Sequence, residues 1–273
     1  MASCKNCGSE FEGKYCNNCG QKLYTDHDRS LKHLFEELFH FFTHFEGSFF
    51  TSIRTIYTKP GTLTADYCGG SRKKYYKPIS LYLLLVILYL IFPLAKGLNV
   101  ELVQHKINPF YGTYATKRIE TAIAKKEVTE EAFSKLFEEK SAKVSKVLLL
   151  LFIPYTMLLV YLLYFYKRPF VFDLAILSTE ISVFYLSFVF LIFPSVFLLI
   201  YKLTGIQLIA DETIFTVLPA SIFALFCALA FRRFFAENFF ISLAKSLVFV
   251  VLHLFFLLAI YRFCVFYATM LIA

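Results

Sequence analysis

The chain has 273 residues, 58% of them hydrophobic and 19% aromatic, and its mean hydropathy is +0.61. Those values exclude an ordinary water-soluble domain, in which about half the residues are apolar. The formal net charge is +8, which on so apolar a chain points to basic residues at a membrane face and argues against nucleic acid as a partner.

The chain opens on two cysteine pairs, Cys4-Lys-Asn-Cys7-Gly and Cys16-Asn-Asn-Cys19-Gly. Four thiols in two C-x-x-C turns match a tetrahedral zinc site, because each turn brings two sulfurs to one ion. Gly8 and Gly20 follow the pairs, where a tight turn favours positive φ. Residues 1–22 therefore read as a zinc-ribbon head, with Cys4, Cys7, Cys16 and Cys19 as ligands of a structural zinc ion. Four thiolates leave no open coordination position for water or substrate. So short a segment cannot build a core, so the metal would supply its folding energy. Two disulfides in an exported head are the alternative on sequence alone. No apolar signal-like stretch precedes Cys4, so the head is expected in the reducing cytoplasm.

Residues 23–78 read as amphipathic interfacial helices and a basic juxtamembrane segment. Apolar residues at Leu31, Leu34, Phe35, Leu38, Phe39, Phe42 and Phe45 fall at helical spacing, with His33, Glu36, Glu37, His40 and His44 opposite. Such a helix would lie on the membrane surface. The histidine spacing suits either a metal or a solvated polar face, and it is not H-E-x-x-H. A short helix over 48–58 is stopped by Lys59-Pro60-Gly61. Arg72, Lys73, Lys74 and Lys77 then precede the first apolar stretch and are expected to dock on anionic lipid headgroups.

Five apolar stretches follow. Span one covers 79–96, and 97–146 is a helical hairpin loop with Phe133, Leu136 and Phe137 inward. Spans two to five fall within 147–273, near 147–166, 174–201, 213–231 and 241–262. Each approximates the length that crosses about 30 Å of hydrocarbon. Pro154, Pro194 and Pro219 are expected to kink spans two, three and four. Placing Arg72–Lys77, Lys167/Arg168 and Arg232/Arg233 on the cytoplasmic side gives an N-inside protein of the cell (inner) membrane. The expected fold class is an all-α polytopic membrane helix bundle with a small N-terminal zinc ribbon.

Ionisable residues inside spans are candidates for function. Glu180 and Lys245 lie at similar depth and could pair between helices, and His253 falls near the middle of span five. The bland reading is that Lys245 snorkels, Glu180 lines a wet crevice and His253 is a buried hydrogen-bonded side chain. With 10 Gly in the whole chain and no Walker, G-x-S-x-G or G-x-G-x-x-G pattern, no enzyme is indicated.

The order Cys-x-x-Cys-Gly, Tyr15-Cys16-x-x-Cys19-Gly20-Gln21-Lys22, Thr51, Pro60-Gly61, Tyr67, Gly70, Arg72, Tyr75 and Pro78 resembles a bacterial domain-of-unknown-function family of zinc-ribbon multi-spanning membrane proteins. The resemblance covers about the first third of the chain and departs at Ser71, where a basic residue is expected. It implies a cytoplasmic zinc head on a multi-spanning bundle, and no assigned reaction. The resulting expectation is a membrane protein whose head recruits or senses a cytoplasmic protein partner, with membrane lipids as the other contact. The alternative is a transporter or lipid-handling protein using Glu180, Lys245 and His253.

Overall fold

The computed structural model describes residues 2–4, 7–19, 47–91, 100–167, 169–204 and 212–272. The expected surface helix with His33, His40 and His44, the end of span one and Gly20 lie outside the described residues. The chain divides into two units, 1–50 and 51–273.

In the first unit, β1 (Ala2–Ser3) pairs antiparallel with β2 (Glu10–Phe11). The turn between them closes through Gly8 N–H donating to Cys4 O (2.9 Å) and Cys4 N–H to Ser9 O (3.0 Å). Gly8 takes φ +74°, the left-handed turn conformation anticipated from its place after the first pair. Among the described residues of this unit, Phe11, Cys4 and Cys16 form the apolar cluster. One ring and two thiols bury too little surface to hold a fold without a crosslink or a metal.

Among the described residues of the second unit, all regular structure is helical. Its helices are α1 (Ser48–Thr58, which starts just before the boundary), α2 (Thr62–Cys68), α3 (Pro78–Ile91), α4 (Leu102–Lys106), α5 (Gly112–Lys126), α6 (Glu130–Leu148), α7 (Phe152–Tyr164), α8 (Val171–Tyr185), α9 (Phe193–Thr204), α10 (Glu212–Phe235), α11 (Phe239–Phe255) and α12 (Arg262–Ile272). Short 3₁₀ or π segments join α6 to α7, α8 to α9 and α11 to α12, so several helices run on as one. Among the described residues, four helical runs are long and apolar enough to cross a membrane: Glu130–Lys167, Val171–Thr204, Val217–Phe235 and Phe239–Ile272. Of the stretch expected as span one, residues 79–91 are described and lie in α3, whose 14 residues rise about 21 Å.

The 38-residue run Glu130–Lys167 and the 34-residue run Phe239–Ile272 measure about 57 and 51 Å at 1.5 Å per residue, well beyond the hydrocarbon thickness. Their excess ends do not hang free. Phe133 and Phe137 on α6 pack with Phe266 on α12 and with Leu102, Tyr111, Ala115 and Ile119 from α4 and α5, forming a second core. The stretch 97–146, expected as a helical hairpin, thus holds α4, α5 and nearly all of α6, and α12 packs on them as the fourth helix of a cap. Leu136 is half-buried rather than inward. Gly112 opens α5 because a Cβ there would meet Lys106 O at 2.3 Å.

The prolines act differently from a uniform set of kinks. Pro194 directly follows the π segment Leu186–Ile192, whose wider turn accommodates the missing N–H. Pro154 falls in the first turn of α7, just after the 3₁₀ segment Leu149–Leu151 that interrupts the long run. Pro219 sits within α10. The second π segment, Phe256–Tyr261, leaves Leu258 O to accept from Asn108 Nδ2 at 3.1 Å, while Tyr261 donates to Ser145 O at 2.7 Å. Both contacts fix the cap to the bundle.

Candidate metal centre and buried polar sites

In the head, the four sulfurs of Cys4, Cys7, Cys16 and Cys19 all lie within 4.8 Å of one another. Cys4 and Cys19 are 3.5 Å apart, and Cys7 and Cys16 3.6 Å. None of the four is in a disulfide bond. A tetrahedron with metal–sulfur bonds of about 2.3 Å has edges of about 3.8 Å, so the spacing fits one ion. Ser9 Oγ lies 2.8 Å from Cys7 Sγ and 3.5 Å from Cys16 Sγ. The Ser9 hydroxyl, helped by backbone N–H groups, pulls the Cys16 thiol down to about 6, favouring the thiolate that a metal requires. The four residues named from sequence are therefore brought together, and the cluster could hold a metal ion.

The three candidate intramembrane residues are not brought together. Glu180, on α8, is 1% exposed. Its carboxyl accepts from Gly61 N–H (2.7 Å), Thr64 N–H (2.9 Å) and the Thr64 hydroxyl. Glu180 thus caps the N-terminus of α2 from a different helix, where the first N–H groups of a helix lack internal partners. The α1–α2 turn must come very close to do this. Gly61 sits at φ +78°, and a Cβ there would lie 2.7 Å from Ala230 O. Arg233 closes the same turn by donating to Pro60 O. The Pro60-Gly61 pair, read from sequence as a stop, is in the structure a wedge between α8 and α10.

Lys245 pairs with Glu237 instead of Glu180. Its ammonium is 2.9 Å from both Glu237 oxygens and also meets the Tyr166 hydroxyl. Lys167 approaches the same carboxylate at 3.2 Å. Partial burial would raise the Glu237 pKa, but hydrogen bonds from Tyr166, Lys245 and Lys167 outweigh it and hold it at about 2. Lys245 also lies 4.1 Å from the centre of the Tyr164 ring. Sequence reasoning missed Glu237, although it is the sole acid in the turn between Arg232/Arg233 and Lys245. Asn238 caps α11 beside it, its side chain accepting from Phe240 N–H.

His253, the third candidate, stands apart from both. It is 1% exposed, and neither ring nitrogen has a hydrogen-bond partner among the described residues. Its buried counterpart in the cap, His105, binds Tyr111 at 2.7 Å through Nδ1. Burial, and to a lesser degree Arg262, pushes His105 down to about 4.

The basic belt is partly built into the fold. Lys74 (3.0 Å) and the Tyr75 hydroxyl (2.6 Å) bind Asp66, and the Arg72 guanidinium lies 5.1 Å from the Phe172 ring centre. Lys73 and Lys77 are exposed and form no ion pair among the described residues. Two of the four cations thus tie α2 and the belt together, and two point to solvent.

The family described as "protein of unknown function (DUF3667)" matches residues 46–90 of this chain. That stretch holds α1, α2, the basic belt and nearly all of α3, and so includes the wedge that Glu180 and Arg233 grip from outside it. No curated protein and no solved structure matches the chain.

Proposed function

We propose that this is a non-enzymatic, multi-pass membrane protein whose head, in the cytoplasm, holds structural zinc and recruits or senses a protein partner. The observation that carries the topology is charge asymmetry. One end of the helical unit gathers Lys59, Arg72, Lys73, Lys74, Lys77, Lys167, Arg232 and Arg233 against Asp66, Asp173 and Glu237. The cap over residues 100–146 carries nine Lys/Arg against seven Glu. Basic excess marks the cytoplasmic side, which favours the wedge and belt facing inward, with Lys73 and Lys77 meeting anionic lipid. A bacterial inner membrane follows from the resemblance noted above. The thiolate spacing favours zinc, since a closed four-sulfur site is structural and leaves the surface around it free for docking.

The reading is tested on purified full-length protein and its Cys4→Ser/Cys7→Ser variant. We expect about one zinc per chain in the first and under a tenth of that in the second. Partners recovered by the first from lysate should be lost by the second. Equal metal contents would remove the site, and identical partner sets would remove its role in recruitment.

The alternative, transport or lipid handling through Glu180, Lys245 and His253, loses support from geometry. Glu180 and Lys245 are each engaged by neighbours, which leaves His253.

A further inference from the structure

The His253 ring nitrogens are unpartnered beside open space. A cavity of about 170 Å³ is lined by His253 and Val250 of α11, Pro219 and Phe223 of α10, and Tyr185 and Val189 around the end of α8. Tyr185 and His253 each lie fourteen residues from the start of their helices, so both sit about 21 Å from the end carrying Arg232 and Arg233. Leu218 (44% exposed) and Val251 (66%) are the sequence neighbours of the lining residues Pro219 and Val250 and face outward. The rest of the His253 surroundings is aromatic, with the Phe152, Tyr155 and Phe249 rings all within 6 Å.

We propose that this cavity binds a lipophilic single-ring molecule bearing a carbonyl or hydroxyl oxygen, of the quinone class, drawn from the bilayer. Three features select it. The volume decides size: an apolar cavity of about 150 Å³ holds a benzene ring and this one is somewhat roomier, so a single substituted ring is the limit and a sterol is too large, while a phospholipid headgroup would bring charges that no wall residue pairs. The Tyr185, Phe223 and His253 rings on its wall favour a flat partner that stacks. The buried imidazole requires an oxygen within hydrogen-bond reach, because a buried polar group without a partner is destabilising. A plain hydrocarbon chain end fills space and leaves His253 unpaired. Water is the competing occupant, since it could satisfy the imidazole. The proposal rests on the membrane reading above and not on the metal head.

The test uses full-length protein in lipid nanodiscs, with empty nanodiscs as the blank. The probes are duroquinone, whose fully substituted ring does not alkylate thiols, and durene, the same methylated ring without oxygens. Duroquinone should bind the wild type at least tenfold more tightly than durene, and His253→Phe should erase that difference while keeping durene binding. Ala220→Leu, which fills the cavity without touching His253, should abolish binding of both probes. Nitrogen-15 spectra of histidine-labelled protein should show one imidazole shifting on duroquinone addition, absent in His253→Phe. Equal affinity for the two probes, or no binding of either, overturns the proposal. An imidazole signal already hydrogen-bonded and indifferent to duroquinone means water only, and overturns it too. The Cys4→Ser/Cys7→Ser protein should bind duroquinone as the wild type does, so failure of the head and failure of the cavity are separately visible.

Discussion

Glu180 and His253 are both 1% exposed, both lie on long apolar helices, and the sequence ranks them alike. Their surroundings differ in kind. Glu180 receives two backbone N–H groups and a hydroxyl from a turn that bends into the bundle to reach it. His253 receives no hydrogen bond among the described residues and borders a cavity. A buried polar group costs stability unless it is hydrogen-bonded. The first residue is therefore a fastener that the fold has already used. The second is a group whose requirement the described residues leave unmet. Ionisable character inside an apolar helix does not by itself separate the two, and the partner inventory does.

The largest expected effect comes from removing the fastener. Glu180→Leu leaves two buried N–H groups and the Thr64 hydroxyl without an acceptor, and should cost about 3–5 kcal/mol in the unfolding free energy. Glu180→Gln keeps one acceptor oxygen and should cost clearly less. A loss below about 1 kcal/mol for Glu180→Leu would show that the turn is not held by this residue. Next in size, Gly61→Ala should cost about 2 kcal/mol or more, from a positive φ and a Cβ 2.7 Å from Ala230 O. Protease cutting near Lys59 should rise in parallel, and unchanged cutting would count against a seated wedge. The smallest effect has the opposite sign. In the absence of any ring compound, His253→Phe should hold or raise stability by about 1 kcal/mol, because an unpaired imidazole gives way to an apolar ring among aromatic neighbours. Destabilisation comparable to Glu180→Leu would mean that His253 already has a partner, and the contrast between the two sites would vanish.

The family match falls on 46–90, the same stretch that carries Pro60, Gly61, Thr64 and the belt. The residues that grip this stretch, Glu180 and Arg233, lie more than a hundred positions further on. Nothing in the spacing of either region announces the other. The Glu237–Lys245 pair was closer at hand, since the two lie across a turn and the first turns of one helix. It was hidden because Glu180 offered an equally deep carboxylate, and depth along a helix says nothing about which face the side chain takes.

What the sequence by itself determined was local or compositional. The C-x-x-C turns specify a four-thiol cluster, because each turn needs only four consecutive residues. The long apolar runs specify helices that can cross a membrane, because the backbone must bond to itself where water is absent. The α1 boundaries followed from the Lys59-Pro60-Gly61 stop. Only tertiary structure decided the rest. It set whether Pro154 or Pro194 distorts its helix, how the ends of α6 and α12 fold the 100–148 region into a four-helix cap, and which buried polar groups find partners. Each of those outcomes depends on rotation of one helix against another. Rotation is fixed by side chains that meet across the bundle from positions scattered along the chain.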